Sequence, residues 1–176
     1  MLDGNTVVAT VMSNTGLIRA LEAEGIGCEQ TSVGDRFVFE CMEKNGYRLG
    51  GEQSGHIILR KYATTGDGIL TALMIAEEMR DRKLPLSKLS EGVVLFPQMI
   101  RSVRVTDKKA VMDDSVICER YEQINRAIGK KGRALLRLSG TEPVVRVMIE
   151  CENEKDCEKY LSELCELIKK RGYCCE

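Results

Sequence analysis

The sequence predicts an α/β domain with a mainly parallel sheet, followed by a small α+β domain. Three observations carry that reading. Over the first half, β-branched runs alternate with helix-periodic runs in a β-α-β-α-β-α order, which calls for parallel strands joined by crossover helices. A connector with Pro85 and Pro97 at its ends then interrupts the pattern. Beyond it the order becomes β-α-β-β-α, a sheet with helices on one face. The expected division is 1–97 and 98–176.

The first strand is Thr6–Met12, a β-branched run. Ser13-Asn14-Thr15 caps a helix whose apolar face is Leu17, Ile18, Leu21 and Ala23, and Gly25 ends it. A short strand over 28–31 follows. Phe37, Val38, Cys41 and Met42 recur at helical spacing, and Asn45-Gly46 stops that helix. A strand begins at Tyr47–Leu49, is interrupted by Gly50–His56, and resumes at Ile57-Ile58-Leu59. Thr64-Thr65-Gly66-Asp67 caps a long helix carrying Ile69, Leu70, Leu73, Met74, Ile75 and Met79. In the second half, Ile100–Val105 alternates with period two, as a half-buried strand does. Asp113-Asp114-Ser115 caps a helix reaching Ile128, and Gly129–Gly132 is a loop. Apolar runs at 134–136 and 144–149 form a hairpin. The last helix, 153–170, has the stripe Cys157, Tyr160, Leu161, Leu164, Cys165 and Ile168.

Composition narrows the function. The 176 residues are 43% hydrophobic and 30% charged, ordinary for a globular protein. A net charge of −1 offers no basic field for nucleic acid. No apolar run approaches the ~20 residues of a membrane span. Met1–Asn5 turns polar almost at once, unlike a secretory leader, so a cytoplasmic location is expected. The eight cysteines are scattered, with Cys174-Cys175 at a frayed C-terminus. With one histidine and no C-x-x-C, a zinc site is not expected. The thiols are expected to be reduced and mostly buried.

Two loops carry chemistry. In Arg137–Arg146, a serine, a glycine and a threonine lie between strands with an arginine at each end. Backbone N–H groups and the hydroxyls of Ser139 and Thr141 can face an anion. Gly140 lets it come close to the backbone. Arg137 and Arg146 add planar forks that match phosphate oxygens. Taken alone, the same stretch also fits a hairpin turn with solvated arginines. The second loop, Gly50–His56, sets Glu52 and Ser54 two residues apart, an acceptor and a donor suited to vicinal sugar hydroxyls. His56, the single histidine, stands beside them. Taken alone, the loop fits a plain polar turn with a satisfied histidine better.

Together, Gly51-Glu52-Gln53-Ser54-Gly55-His56, Thr64-Thr65-Gly66-Asp67-Gly68 and Arg137-x-Ser139-Gly140-Thr141-Glu142-Pro143-x-x-Arg146 resemble the α-D-phosphohexomutase superfamily. Ala9–Asn14 and Val33–Val38 fit the same family in the same order, so the resemblance covers nearly the whole chain. It is closest to the amino-sugar branch. Phosphomannomutases and phosphoglucomutases favour a methionine where Gln53 stands, and form the alternative, with a free-standing phosphosugar-binding module as a second.

The resemblance implies four domains around one cleft, of which this chain supplies the third and the fourth, the latter with a TATA-binding-protein-like fold. It implies sugar contacts from Glu52, Ser54 and His56, with His56 also a possible acid or base. It implies a phosphate loop of Arg137, Ser139, Gly140, Thr141 and Arg146. The implied reaction interconverts glucosamine 6-phosphate and glucosamine 1-phosphate, toward UDP-N-acetylglucosamine. A phosphoserine and a glucosamine 1,6-bisphosphate intermediate carry the phosphoryl group. The family's S-H-N-P nucleophile loop and D-G-D-G-D-R magnesium loop are not found here. Gly66-Asp67-Gly68 has one carboxylate, too few for the ion. The expectation is therefore a piece of a longer enzyme, inactive alone, whose Mg2+ and whose partner domains lie in its N-terminal half.

Overall fold

A computed structural model describes residues 2–174. The chain divides into two compact units, the first ending at Leu95 and the second starting at Phe96.

The first unit runs β1 (Thr6–Thr10), α1 (Thr15–Ala23), β2 (Gly27–Thr31), α2 (Asp35–Asn45), β3 (Leu49–Gly51), β4 (Ile57–Leu59), α3 (Gly68–Arg82) and α4 (Leu86–Leu89). Its sheet has the order β2-β1-β3-β4, with β1 parallel to both neighbours and β4 antiparallel to β3. Val8, Val38, Met42 and Ile58 are the buried centre. The Asn14 side chain caps α1 by accepting from the Gly16 N–H at 2.9 Å. Gly46, at φ 77°, closes α2 in the left-handed conformation.

Four local expectations change. Gly50 and Gly51 belong to β3, so the loop shortens to Glu52–His56 inside a β3–β4 hairpin. The cause is close approach. A Cβ on Gly50 would stand 2.5 Å from Met42 Sδ and 2.6 Å from Val38 Cγ1, where α2 packs on the strand. β1 stops at Thr10 because Ser13 N–H turns back to the Thr10 carbonyl at 2.9 Å. Phe37 lies off the buried face of α2, 47% exposed. The apolar positions of α3 include no buried residue, and Ile69 is 78% exposed.

The second unit runs β5 (Gln98–Arg104), α5 (Lys108–Asp113), α6 (Ser115–Ile128), β6 (Arg133–Leu138), β7 (Val144–Glu150) and α7 (Glu154–Lys170). The strands order β5-β7-β6, all antiparallel. Val103, Val145, Val147 and Ile149 share one core with Ile117 and Ile124 of α6 and Leu161, Leu164 and Ile168 of α7. Each buried Leu or Ile there contributes about 1.5–3 kcal/mol relative to exposure. The α7 stripe is as expected, with Tyr160 only partly buried.

Helix α5, absent from the sequence reading, ends at Asp114, which starts α6. The buried Asp114 carboxylate accepts from the N–H groups of Val116 and Ile117 at 2.9 and 3.2 Å. It also accepts from Arg171 Nε at 2.8 Å and the Tyr173 hydroxyl at 2.9 Å. Burial works to raise this carboxyl, but Arg171, Tyr173 and the two N–H groups outweigh it and hold it at about 2.

All seven described cysteines are free thiols. Cys151, Cys157 and Cys165 are buried, and the other four are half-buried. Burial, aided by Cys157, pushes the Cys151 thiol up to about 12. Cys174 is not frayed: it bridges Val105 in antiparallel fashion. Cys175 lies outside the described residues.

Two outcomes follow from this packing. Gly50→Ala should destabilise the first unit by about 1–3 kcal/mol, the usual penalty of overpacking. Urea titration followed on first-unit amide resonances measures it, and an unmoved midpoint refutes the close-approach argument. The Asp114 carboxyl lies below its ordinary value of 3.8. Its contribution is therefore complete above that value and lost as pH falls toward about 2. The second unit's melting midpoint should drop across that window, and Asp114→Asn, which retains a capping side chain, should flatten the drop. Parallel profiles for the two proteins would exclude Asp114 as the titrating group.

Candidate functional site

The five residues Ser139–Pro143 join β6 to β7. The strand register sets what surrounds them. Val145, Val147 and Ile149 face the core, so Arg146 points to the opposite face. Arg137 lies directly across from it on β6, and Ser102 directly across on β5. Arg104, paired with Val144, is one pleat along on the same face. Like charges directly opposite each other cost energy. Glu142 offsets part of it by pairing with Arg146 at 3.1 Å. Among the described residues Arg137 makes no ion pair.

The turn's own backbone is strongly committed. The Ser139 carbonyl accepts from Lys108 Nζ at 2.7 Å, and the Glu142 carbonyl from the same ammonium at 3.1 Å. The Pro143 carbonyl accepts from the Val105 N–H at 2.9 Å. The Ser139 N–H donates to the Val144 carbonyl at 3.1 Å, and the Glu142 N–H to Ser139 Oγ at 3.2 Å. Ser139 is therefore a buried turn staple, 5% exposed, whereas Thr141 presents its hydroxyl to solvent. Among the described residues, the N–H groups of Gly140 and Thr141 have no acceptor. A Cβ on Gly140 would meet nothing within 4 Å, so its bareness leaves room for something outside the protein. Two available N–H groups, a hydroxyl and an unpaired guanidinium form an arrangement that can take an oxyanion.

The hairpin loop Glu52–His56 is closed by Glu52 N–H to the His56 carbonyl at 2.9 Å and Gly55 N–H to the Glu52 carbonyl at 3.1 Å. Glu52 and Ser54 each have a hydrogen-bond partner within the protein. One Glu52 carboxylate oxygen accepts from the Gly34 N–H at 3.2 Å, at the start of α2. Ser54 Oγ instead meets His56 Nδ1 at 3.0 Å. Ser54 and His56 are exposed, and Glu52 is half-buried. Glu52 and Gln53 help line an adjoining cavity of about 400 Å3 whose other walls, including Val8, Leu17, Leu49 and Ile57, are mostly apolar. Ser54 and His56 are therefore on the exposed side of the hairpin, and the half-buried Glu52 also faces the cavity. Asp67, the carboxylate nearest to a metal-loop pattern, caps α3 by accepting from the Leu70 N–H at 2.9 Å. Among the described residues no three His, Cys, Asp or Glu side chains converge, so they do not fit a magnesium ion.

Lys108, Arg104 and Ser102 were not singled out from sequence. Period-two alternation in 100–105 does put Ser102 and Arg104 on one face, but only the β5–β7 register shows that Arg146 shares it. Lys108 is 31 residues from Ser139, and nothing in its local sequence announces the contact.

Residues 1–95 match the model of phosphoglucomutase/phosphomannomutase alpha/beta/alpha domain III, and residues 101–167 that of the C-terminal domain of the same family. A phosphoglucosamine mutase of Lachnospira eligens is 54% identical over 172 residues, 98% of this chain. One of Oceanobacillus iheyensis is 48% identical over 169 residues, 96% of this chain. The chain spans 38% of the length of each of these relatives. Among solved structures, an N-acetylglucosamine-phosphate mutase in its substrate complex superposes with a TM-score of 0.77 at 20% identity, covering 93% of this chain and 38% of that one. An N-acetylphosphoglucosamine mutase of Aspergillus fumigatus gives 0.79 at 16%, covering 95% and 38%. At these identities the structural likeness concerns the fold.

The Glu142–Arg146 pair places an internal carboxylate where an external anion would bind. Glu142→Gln should therefore tighten inorganic phosphate binding, by up to about fivefold for an exposed pair. A chemical-shift titration reads it, and equal or weaker affinity would show that Glu142 does not compete.

Proposed function

Because the chain belongs to the phosphoglucomutase/phosphomannomutase family and carries its domain III and C-terminal domain, we propose that it is the substrate-recognition part of a phosphoglucosamine mutase. The turn 139–143 takes the phosphoryl group of glucosamine 6-phosphate, of glucosamine 1-phosphate and of the bisphosphate between them. The Glu52–His56 hairpin takes sugar hydroxyls. The observation that carries this reading is the turn itself. Three of its carbonyls are spent on the protein, while the Gly140 and Thr141 N–H groups remain available next to Arg137 and Arg146.

The division of labour follows from the groups present. Arg137 and Arg146 supply charge and bidentate geometry for phosphate oxygens. Gly140 N–H, Thr141 N–H and the Thr141 hydroxyl complete the set. In the hairpin, Ser54 and His56 form a donor–acceptor couple, and the remaining oxygen of Glu52 is an acceptor. His56 is a sugar contact first. The phosphohexomutase resemblance assigns the phosphoserine nucleophile and the Mg2+ to domains other than these two. Without a positioned nucleophile the chain binds but does not turn over.

Titration of the chain with inorganic phosphate and then with glucosamine 1-phosphate tests the reading. Phosphate should shift resonances in 137–146. Arg137→Ala should weaken it roughly tenfold or more, since a hydrogen bond to a charged group is worth ~1.5–3 kcal/mol. Glu52→Ala should leave inorganic phosphate unaffected and reduce the response of hairpin amides to the phosphosugar. Phosphate shifts elsewhere, or an Arg137→Ala protein binding like the parent, would overturn the assignment. In a separate assay with glucosamine 6-phosphate, magnesium and a catalytic bisphosphate, no turnover above a blank is expected, and clear turnover would refute the recognition-only role.

A further inference from the structure

We propose that Lys108 is a positioning residue for the anion-binding turn: its ammonium grips the Ser139 and Glu142 carbonyls from behind and thereby aims the Gly140 N–H outward. The inference rests on the reading of 139–143 as a phosphate site and adds a residue from another element to it. Lys108 opens α5, which Asp107 caps by accepting from the Lys109 and Ala110 N–H groups at 2.8 and 3.1 Å. Its Nζ reaches across to the turn, 2.7 Å from the Ser139 oxygen and 3.1 Å from the Glu142 oxygen.

The geometry follows from the planarity of the peptide bond. In a trans peptide the carbonyl oxygen and the following N–H point in opposite directions. Holding the Ser139 oxygen against the body therefore turns the Gly140 N–H away from it. The second carbonyl precedes Pro143, which has no N–H, so fastening it inward spends no donor. A glycine in such a turn can otherwise flip its preceding peptide at little steric cost, and a Cβ on Gly140 would meet nothing within 4 Å. A flipped Ser139–Gly140 peptide would present a carbonyl oxygen to the anion and repel it. The neighbouring cations do not serve this role. Lys109 is exposed and makes no contact with the turn among the described residues, and Arg146 is held by Glu142.

The test compares Lys108→Met with Lys109→Met, which removes the same charge one residue away without touching the turn. Inorganic phosphate is the probe, and amide spectra of the whole chain are the readout. Lys108→Met should weaken phosphate about tenfold, the scale of a hydrogen bond to a charged group, and move the Gly140 amide resonance before any phosphate is added. Lys109→Met should stay within about twofold and leave Gly140 in place. Lys108→Arg, whose fork can span both carbonyls, should restore most of the affinity. If Lys108→Met does not fold, Lys108→Gln, which keeps one donor, should show the same Gly140 displacement. An unmoved Gly140 amide in the Lys108 variants, or equal weakening in both Met variants, overturns the proposal. Arg137→Ala separates the two ideas. If it abolishes phosphate binding while Lys108→Met does not weaken it, the positioning role fails and the phosphate site stands. If the parent shows no phosphate shifts in 137–146, the site itself fails, and Lys108 is still judged by the Gly140 amide in the free protein.

Discussion

The second unit is held in register by burial of Val145, Val147 and Ile149, each fully inaccessible on one face of the central strand. A slip of one residue would turn these three outward and drive Arg146 into the core. That exclusion fixes Arg146 opposite Arg137 and Ser102, and it fixes where the turn begins and ends. The candidate anion site is thus a consequence of a hydrophobic constraint on the other side of the same strand. The helices α6 and α7 supply the constraint, and the carboxylate of Asp114 ties the end of α7 to the start of α6.

Placing two arginines side by side opposes folding unless something answers their charge. Glu142 answers one of them in the free protein. The other is left without an ion pair among the described residues, beside N–H groups that have no acceptor. Buried or turn backbone groups are ordinarily satisfied, and here the carbonyls of Ser139, Glu142 and Pro143 are satisfied internally. The donors left over give the turn its sign. A site that is electropositive through both backbone and side chain suits a phosphoryl group more than a carboxylate, because three oxygens can use all the donors at once.

The first unit rests on a much smaller core, with Val8, Val38, Met42 and Ile58 at its centre. Its sheet carries a short hairpin whose strand β3 accepts α2 only because Gly50 has no side chain. The hairpin tip is consequently placed by backbone packing rather than by its own polar residues. Those residues then sort themselves locally: Glu52 toward Gly34, Ser54 toward His56. The long helix α3 keeps its apolar residues exposed or half-buried.

Local sequence was enough for most of the elements, though not α4 or α5, for the two kinds of sheet and for the two polar loops. Period-two and helical spacing record which side of each element is apolar, and Asn14, Asp67, Asp114 and Asn153 announce helix starts through a purely local hydrogen bond. The motif residues of both loops were legible for the same reason, since they are consecutive in the chain. Relations between elements, by contrast, came from packing. Gly50 reads as a loop residue until α2 is seen lying on it. The internal partners of Glu52 and Ser54, the Gly34 N–H and His56 Nδ1, also come from the fold. Arg104 and Ser102 join the arginine face only through the β5–β7 register. Lys108 reaches Ser139 only because the chain folds back across 31 residues. Spacing along a chain encodes which face a side chain takes, but not which distant backbone group it will meet there, and that meeting is settled by packing.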